Sequence, residues 1–474
     1  MAADADGVRR ELRAAVHDTR RRGLLYATKW AAEQLAGLPP AQAEGAWEAP
    51  VPADPDVLQL ARSYFDLKEY RRAAHVLSTA PDPQLRAPQG PHGFLRIYAL
   101  YLAGEKQKEE DIAQSPSSQG VLMRPAVVNE ELSTLHDELS AARAAGTELD
   151  GFMLYLLALV QRGLNMKEEA IACLSESVAA YPCNWSAWQE LSSLCADTDT
   201  VQRLTLPEHW TRTLFTAQLS SELQVRPPPS LALSECRRAN APGSADVSGL
   251  TVSPPRPQHD GVPDSVIDQY TSLESTIFPS STYILVQKAM VYYLERQYDE
   301  AEALFEEVLQ RDPYRLEQMD AYSNILYVKE KDAKLSFLAH NAIKWDKYRP
   351  ETCCIIGNYY SRKRQHEKAV QYFSRALKLD PSYLSACTLM GHEFVEMKNH
   401  NAAIEAYRRA VDINPRDYRA WYGLGQMYEM LHMHFYALYY FRKVTVLRPN
   451  DPRMWCAHTA TPPTPDRVAK CGSC

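Results

Sequence analysis

Between Thr282 and Asp451 small and aromatic residues return every 34 positions without a gap, a regularity that restricts the fold more tightly than any other feature of the chain. Gly357, Tyr360, Ala369, Phe373, Ala376 and Pro381 recur as Gly391, Phe394, Ala403, Tyr407, Ala410 and Pro415, then as Gly425, Tyr428, Ala437, Phe441, Val444 and Pro449. An upstream copy keeps Ala289, Tyr292, Ala301, Phe305, Val308 and Pro313, and the copy from Leu316 to Arg349 keeps the length while losing the landmarks. Five units therefore stand in register. Small residues at the eighth and twentieth places let two helices cross closely, and the aromatics fill the space beside them. The proline ends the second helix. One unit cannot bury its apolar face alone, so neighbours share a continuous core.

Period and residue order resemble the tetratricopeptide repeat, a helix-turn-helix unit. The expected fold is all-α, a tetratricopeptide-repeat superhelix (α-solenoid) in two arrays joined by a disordered Pro-rich linker. A solenoid escapes the usual ceiling on single-domain size, so 474 residues say little about domain count. The formal net charge of -7, with both signs interspersed, speaks against a nucleic-acid surface. Ten scattered cysteines, several at helical repeat positions, fit a reducing compartment. Met1 to Arg13 lacks the apolar core of a signal peptide, and the most apolar run, Phe152 to Val160, is too short to span a bilayer. Nucleus and cytoplasm are the expected locations, with no membrane.

Taken in order, residues 1–53 hold two short helices, within 8–36, and a linker. Arg20, Arg21 and Arg22 read as a solvated helix end, the alternative being an import or acidic-partner patch. Residues 54–224 form a less regular repeat array, with Ala61, Tyr64, Ala73, Leu77 and Ala80 in one unit and Ala158, Ala170, Leu174 and Pro182 in another. Gly104 to Pro125 reads as an exposed polar insertion. The prolines around Pro227, Pro242 and Pro254 leave no helix room, so 225–264 is the linker. Residues 265–451 form the C-terminal array, and 452–474 are an irregular tail in which Trp455 starts a further unit that breaks at Pro462. The array is expected to end without a capping helix, covered by a partner or belonging to a truncated product.

Particular words go beyond the generic repeat. Asp312-Pro-Tyr-Arg315, Glu351-Thr-Cys-Cys354 followed by Ile356-Gly-Asn-Tyr-Tyr360, Gln365-His-Glu-Lys-Ala369, Leu389-Met-Gly-His-Glu393, the run Arg416 to Gln426, and Leu24 to Trp30 resemble the family of subunit eight of the anaphase-promoting complex, or cyclosome. The chain departs from it in the Pro-rich stretch near Val225 to Val262 and after about Met454. The resemblance implies a non-catalytic scaffold subunit of a ubiquitin ligase, acting in mitosis and the cell cycle. It implies other ligase subunits as partners, a homodimer through the N-terminal repeats, and a C-terminal groove that docks the arginine-containing box of a coactivator.

In such a solenoid the second, fifth, ninth, twelfth and thirteenth positions of each unit face inward. Asn324, Asn358, His392 and Gln426 stand at successive ninth positions, and amides there can hold an extended peptide backbone. Glu317, Asp320, Glu351, Glu396 and Glu429 lie at inward positions, Glu393 sits beside His392, and Tyr327 and Tyr422 face inward as well. The groove reads as acidic, which suits an arginine. By resemblance the arginine-binding role falls on Asn358 and Glu393. A solvated acidic face is the bland alternative.

Other chemistry finds no footing. Cys471 and Cys474 form a lone CxxC without a partner pair, His432 and His434 lack a third ligand, and Cys353-Cys354 reads as one buried and one groove-facing thiol. No phosphate loop or nucleophile motif appears, no catalytic residue, cofactor or metal is expected, and no non-repeat segment is long enough for an enzyme domain. Ser253 and Thr464 have the Ser/Thr-Pro-x-Arg form of a phosphorylation site. A competing function is a free-standing peptide-binding adaptor or co-chaperone. Capturing a C-terminal carboxylate would need converging Lys and Arg, whereas the inward set reads as acids and amides.

Overall fold

The computed structural model describes residues 5–39, 56–80, 90–114, 128–146, 149–195, 204, 206–223 and 262–448. Every regular element among them is an α-helix. They divide into two compact units, the first reaching Gln287 and the second starting at Lys288. Residues 265–287, grouped by the sequence reading with the C-terminal array, pack in the first unit, as do 262–264, which it gave to the linker. Most of the expected linker and all of the tail lie outside the described residues.

The first unit contains α1 (Ala5–Arg21), α2 (Leu25–Ala36), α3 (Asp56–Asp66), α4 (Tyr70–Ser78), α5 (Gly90–Gln114), α6 (Glu131–Ala144), α7 (Gly151–Gly163), α8 (Lys167–Ala180), α9 (Trp185–Leu194), α10 (Trp210–Leu223) and α11 (Val262–Thr276). Its core is built on tryptophan. Trp30 of α2 stacks on Trp185 at 4.5 Å and on Trp210 at 5.9 Å, while Tyr283 meets Trp30 edge-on at 6.2 Å. These flat, wholly enclosed rings bury more apolar area per residue than any aliphatic side chain.

Two sequence expectations change here. α5 continues to Gln114, so the first part of the supposed polar insertion is helix. Gly104 permits this, because a Cβ there would stand 1.9 Å from the Asn129 carboxamide oxygen that packs against it. Arg22 is not part of a solvated helix end, although Arg20 is exposed. The Arg22 guanidinium lies 3.9 Å above the Phe152 ring and donates from Nη2 to Asp150 Oδ2 at 2.9 Å. Asp150 meanwhile caps α7 by accepting from the Met153 amide at 2.8 Å.

The second unit starts within α12 (Thr282–Leu294) and continues through α13 (Tyr298–Arg311), α14 (Met319–Val328), α15 (Asp332–Trp345), α16 (Pro350–Arg362), α17 (His366–Leu379), α18 (Leu384–Glu396), α19 (His400–Ile413), α20 (Tyr418–Met430) and α21 (His434–Leu447). The unit without landmarks is still a helix pair, α14 and α15. Its eighth position is Ser323, fully buried, which keeps the crossing small.

Each helix pair turns on one left-handed residue. Arg296, Glu330, Arg364, Lys398 and His432, 34 apart, have φ of 63°, 56°, 58°, 60° and 57°. The following amide then reaches back to close the first helix, as in Gln365 N to Tyr360 O at 3.0 Å and Asn399 N to Phe394 O at 2.9 Å. Side chains other than glycine are disfavoured in this region, so the turn is held by those backbone bonds against the local preference. Cys353 and Cys354 are both fully buried, which corrects the expectation that one faces the groove: both pack in the core shared with Phe373, Cys387 and Met390.

Candidate peptide-binding groove

Equivalent positions of stacked units share a face, so the ninth residues of the first helices are neighbours. Asn358 donates from Nδ2 to Asn324 Oδ1 at 2.7 Å and to Ser323 Oγ at 2.8 Å. Asn324 passes the chain on, its Nδ2 standing 3.3 Å from Tyr293 Oη. Tyr293 Oη also accepts from Arg419 Nη1 at 2.9 Å, and the Arg419 guanidinium lies 5.2 Å over the Tyr293 ring. First and fifth units of this array thus meet through inward-facing side chains. Neither Arg419 nor Tyr293 was singled out from the sequence, although they occupy the second and twelfth positions that the same inward rule selects.

A second cluster surrounds Glu393, which is 5 % exposed. Oε1 accepts the Ser361 hydroxyl at 2.6 Å, and Oε2 lies 2.7 Å from His366 Nδ1. Ser361 Oγ is also 3.3 Å from Tyr327 Oη, which links this carboxylate to the half-open Tyr327 ring. Ser361 and His366 were invisible as site residues in the sequence. The signal was the twelfth position for Ser361, and for His366 only its place as the first residue of α17.

His392 is open to water, and its Nδ1 is 2.8 Å from Tyr407 Oη. Desolvation on the side of the ring that packs against Tyr407, and then the Arg419 charge, push the imidazole down to about 4. Neutral at physiological pH, it shares a hydrogen bond with Tyr407 and offers a partner no positive charge. Glu396 and Gln426 are exposed, Glu429 is partly open, and Tyr422 packs 5.7 Å from the Phe441 ring. The acidic balance inferred from the sequence is partly cancelled. Glu317 pairs with Arg315 at 3.5 Å and Arg349 at 3.8 Å, and Glu351 pairs with Arg349 at 3.5 Å. Ser253 and Thr464 lie outside the described residues.

A mixed trio of donors, Glu11, Cys183 and His209, converges in the first unit. The acid is engaged there as an acceptor, 3.0 Å from His209 Nε2 and 3.2 Å from Trp210 Nε1. Burial, and then Glu11, push the Cys183 thiol up to about 12, so it stands as a neutral apolar group. No helix among the described residues is long and apolar enough to cross a membrane.

The family model described as anaphase promoting complex subunit 8 / Cdc23 matches residues 7–56 and 52–233, and tetratricopeptide-repeat models match 282–315, 350–383 and 391–431. Among curated relatives, anaphase-promoting complex subunit 8 of Arabidopsis thaliana is 44 % identical over 371 residues, covering 70 % of this chain and 56 % of its own. The Homo sapiens cell division cycle protein 23 homolog is 42 % identical over 329 residues, covering 68 % and 47 %. The chain thus spans about half the length of the curated relatives it matches. A solved structure, the APC/C hetero-tetramer Cut9-Hcn1, superposes with a TM-score of 0.55 at 18 % identity, covering 94 % of this chain and 74 % of that one, a likeness of fold.

Proposed function

The chain belongs to the anaphase-promoting complex subunit 8 / Cdc23 family, and from that premise we propose that it is a non-catalytic scaffold subunit of that ubiquitin ligase, whose C-terminal array docks an arginine of the coactivator. One observation carries the docking half. Two glutamates of this array are buried, Glu302 and Glu393. Glu302 is surrounded by Lys329, Lys331 and Lys334, whereas Glu393 is held by a hydroxyl and an imidazole. A buried carboxylate is costly without a matched cation, and a guanidinium entering from the groove supplies one with two parallel N–H bonds. The part-exposed amide of Asn324 lies on the same line of first helices and can meet a peptide backbone, while Asn358, buried with its amide nitrogen donating to Asn324 and Ser323, supports it from beneath.

The family premise supports association with other subunits and a homodimer through the first unit, active in the nucleus and cytoplasm. Leu25, Tyr26, Leu60 and Leu67 of that unit are exposed large hydrophobics of the kind an interface covers. Affinity purification of the tagged full-length chain from dividing cells tests the scaffold half. Stoichiometric recovery of other ligase subunits is expected, and recovery of chaperones alone would overturn it.

A further inference from the structure

Three side chains able to ligate a metal, each of a different kind, meet in the first unit from points far apart in sequence. Glu11 stands on α1, Cys183 in the turn between α8 and α9, and His209 immediately before α10. One donor atom from each, a carboxylate oxygen, the thiol sulfur and a ring nitrogen, lies within 4.8 Å of the other two. The acid is exposed, the imidazole partly buried and the thiol buried, so the cluster is closed on its sulfur side and reaches water on its carboxylate side.

Two of the three donors are oriented from behind. Trp210 Nε1 donates to Glu11 Oε2 at 3.2 Å, the same oxygen that lies 3.0 Å from His209 Nε2. A carboxylate has about four acceptor sites, so a cation does not have to displace the indole. His209 Nδ1 lies 2.7 Å from Thr211 Oγ1 and 3.3 Å from the Thr211 amide. A hydroxyl oxygen at that distance accepts from Nδ1–H, at the expense of the longer amide contact, and frees the Nε2 lone pair for a metal.

We propose that Glu11, Cys183 and His209 bind one zinc ion, with water as the fourth ligand, and that the ion ties α1 to the α8–α9 turn and the start of α10. Thiolate and imidazole disfavour magnesium and calcium, whereas a mixed sulfur, nitrogen and oxygen set suits zinc. Metal–donor distances of about 2.0–2.3 Å put the ligands of a tetrahedron about 3–4 Å apart, so the cluster closes on an ion with small rotations, chiefly of the exposed Glu11. On binding, Cys183 releases its proton to solvent and the His209 proton moves from Nε2 to Nδ1. Bonds from sulfur, nitrogen and oxygen to the metal then replace the Glu11–His209 hydrogen bond that holds the cluster without it. Ligands so far apart in sequence converge only in the folded chain, so the ion stabilises that state.

The test uses as parent the full chain with Cys471→Ser and Cys474→Ser, so that the C-terminal pair supplies no thiolate. It is stripped of metal with a chelator and titrated with cobalt(II), then zinc. One ion per chain is expected, cobalt giving the visible bands of a four-coordinate ion and a near-ultraviolet thiolate band that zinc abolishes and magnesium does not. Glu11→Gln and His209→Gln should each weaken binding at least about tenfold. Zinc should raise the melting temperature of the parent and leave that of Glu11→Gln unchanged. No bound ion, a thiolate band that survives Cys183→Ser, or equal affinity in the parent and Glu11→Gln overturns the proposal. Should Cys183→Ser not fold, X-ray absorption of the zinc-loaded parent decides: one sulfur at about 2.3 Å with nitrogen and oxygen at about 2.0 Å is required, and a shell with no sulfur or several refutes the site.

Discussion

Asn358 donates to the carboxamide oxygen of Asn324, 2.7 Å away and one full repeat upstream, so a side-chain ladder runs parallel to the stacked helices. Asn358 is 3 % exposed, and cutting it back leaves Ser323 and Asn324 with a buried unmet demand. Asn358→Ala should cost about 1–3 kcal/mol. The double variant with Asn324→Ala should cost less than the sum, with a coupling of about 1 kcal/mol. Urea denaturation of all four proteins checks this, and strict additivity would show that the ladder is not a unit.

The left-handed turns predict a stabilising change. Lys398 has φ 60°, sits exposed, and makes the turn that Arg296, Glu330, Arg364 and His432 make elsewhere. Glycine there removes a steric cost of about 1 kcal/mol but loosens the unfolded chain, leaving a net gain of about 0.5 kcal/mol. Lys398→Val should instead lose more than about 1 kcal/mol. Thermal melts that order the three proteins otherwise would mean the turn is not what closes the repeat.

Tyr407 is clamped from two sides. A Cβ at Gly391 would meet its ring at 2.5 Å and one at Gly423 at 2.6 Å, whereas Gly357 and Gly425 crowd Phe373 and Phe441 from one side each. Gly391→Ala should therefore destabilise by about 2–3 kcal/mol, at the high end for overpacking, and more than Gly357→Ala. Pairing Gly391→Ala with Tyr407→Leu should recover part of the loss, and failure of that rescue in denaturant melts would place the strain elsewhere.

Much of this fold is legible because the same physical constraint repeats. Gly357, Gly391 and Gly425 recur because the same ring fills the same crossing in each pair, and the helix pair survives even where Leu316 to Arg349 drops the markers, since Ser323 still fits the crossing. The turns were not legible: Arg296, Glu330, Arg364, Lys398 and His432 share a backbone conformation and no side-chain chemistry, so residue identity carries no signal. Of the site, the inward positions followed from periodicity, and Asn324 and Asn358 do join hands. Arg419 and Tyr293 meet across 126 residues of sequence, a contact set by how the stack curves and by nothing local. Arg22 misled for a similar reason, since its partners Asp150 and Phe152 are over a hundred residues away and a run of three arginines looks solvated.

Glu302 makes acid stability a readout of the second unit. Burial by itself would raise this carboxyl, but hydrogen bonds from Lys329, Lys331 and Lys334 outweigh it and hold it down at about 2. A folded value below the unfolded one means the contribution is complete above about pH 4.5 and disappears as the pH falls toward 2. Because the lysines are partly open to water, the contribution is about 1–2 kcal/mol rather than the full shift. Glu302→Gln should be less stable than the parent by that amount at neutral pH and nearly equal to it below about pH 2.5. A gap in urea stability that stays constant with pH would rule out the ion cluster as its source.

Glu393 separates docking from folding. Its two oxygens are held by Ser361 at 2.6 Å and His366 at 2.7 Å, so Glu393→Gln keeps the shape and one acceptor oxygen while deleting the charge. If the carboxylate waits for a guanidinium, an arginine-bearing coactivator peptide should bind at least about tenfold, or 1.4 kcal/mol, more weakly to Glu393→Lys, with Glu393→Gln between. The decisive comparison changes the peptide too. Replacing its arginine by lysine should cost affinity against the parent, because a point charge cannot make the paired N–H bonds, and should cost little against Glu393→Gln, where no carboxylate remains to be matched. Calorimetric titrations of the four combinations give the coupling directly. A purely structural Glu393 would weaken both peptides alike through misfolding and show no coupling, whereas a dependence on the guanidinium fork can arise only if that fork and this carboxylate meet.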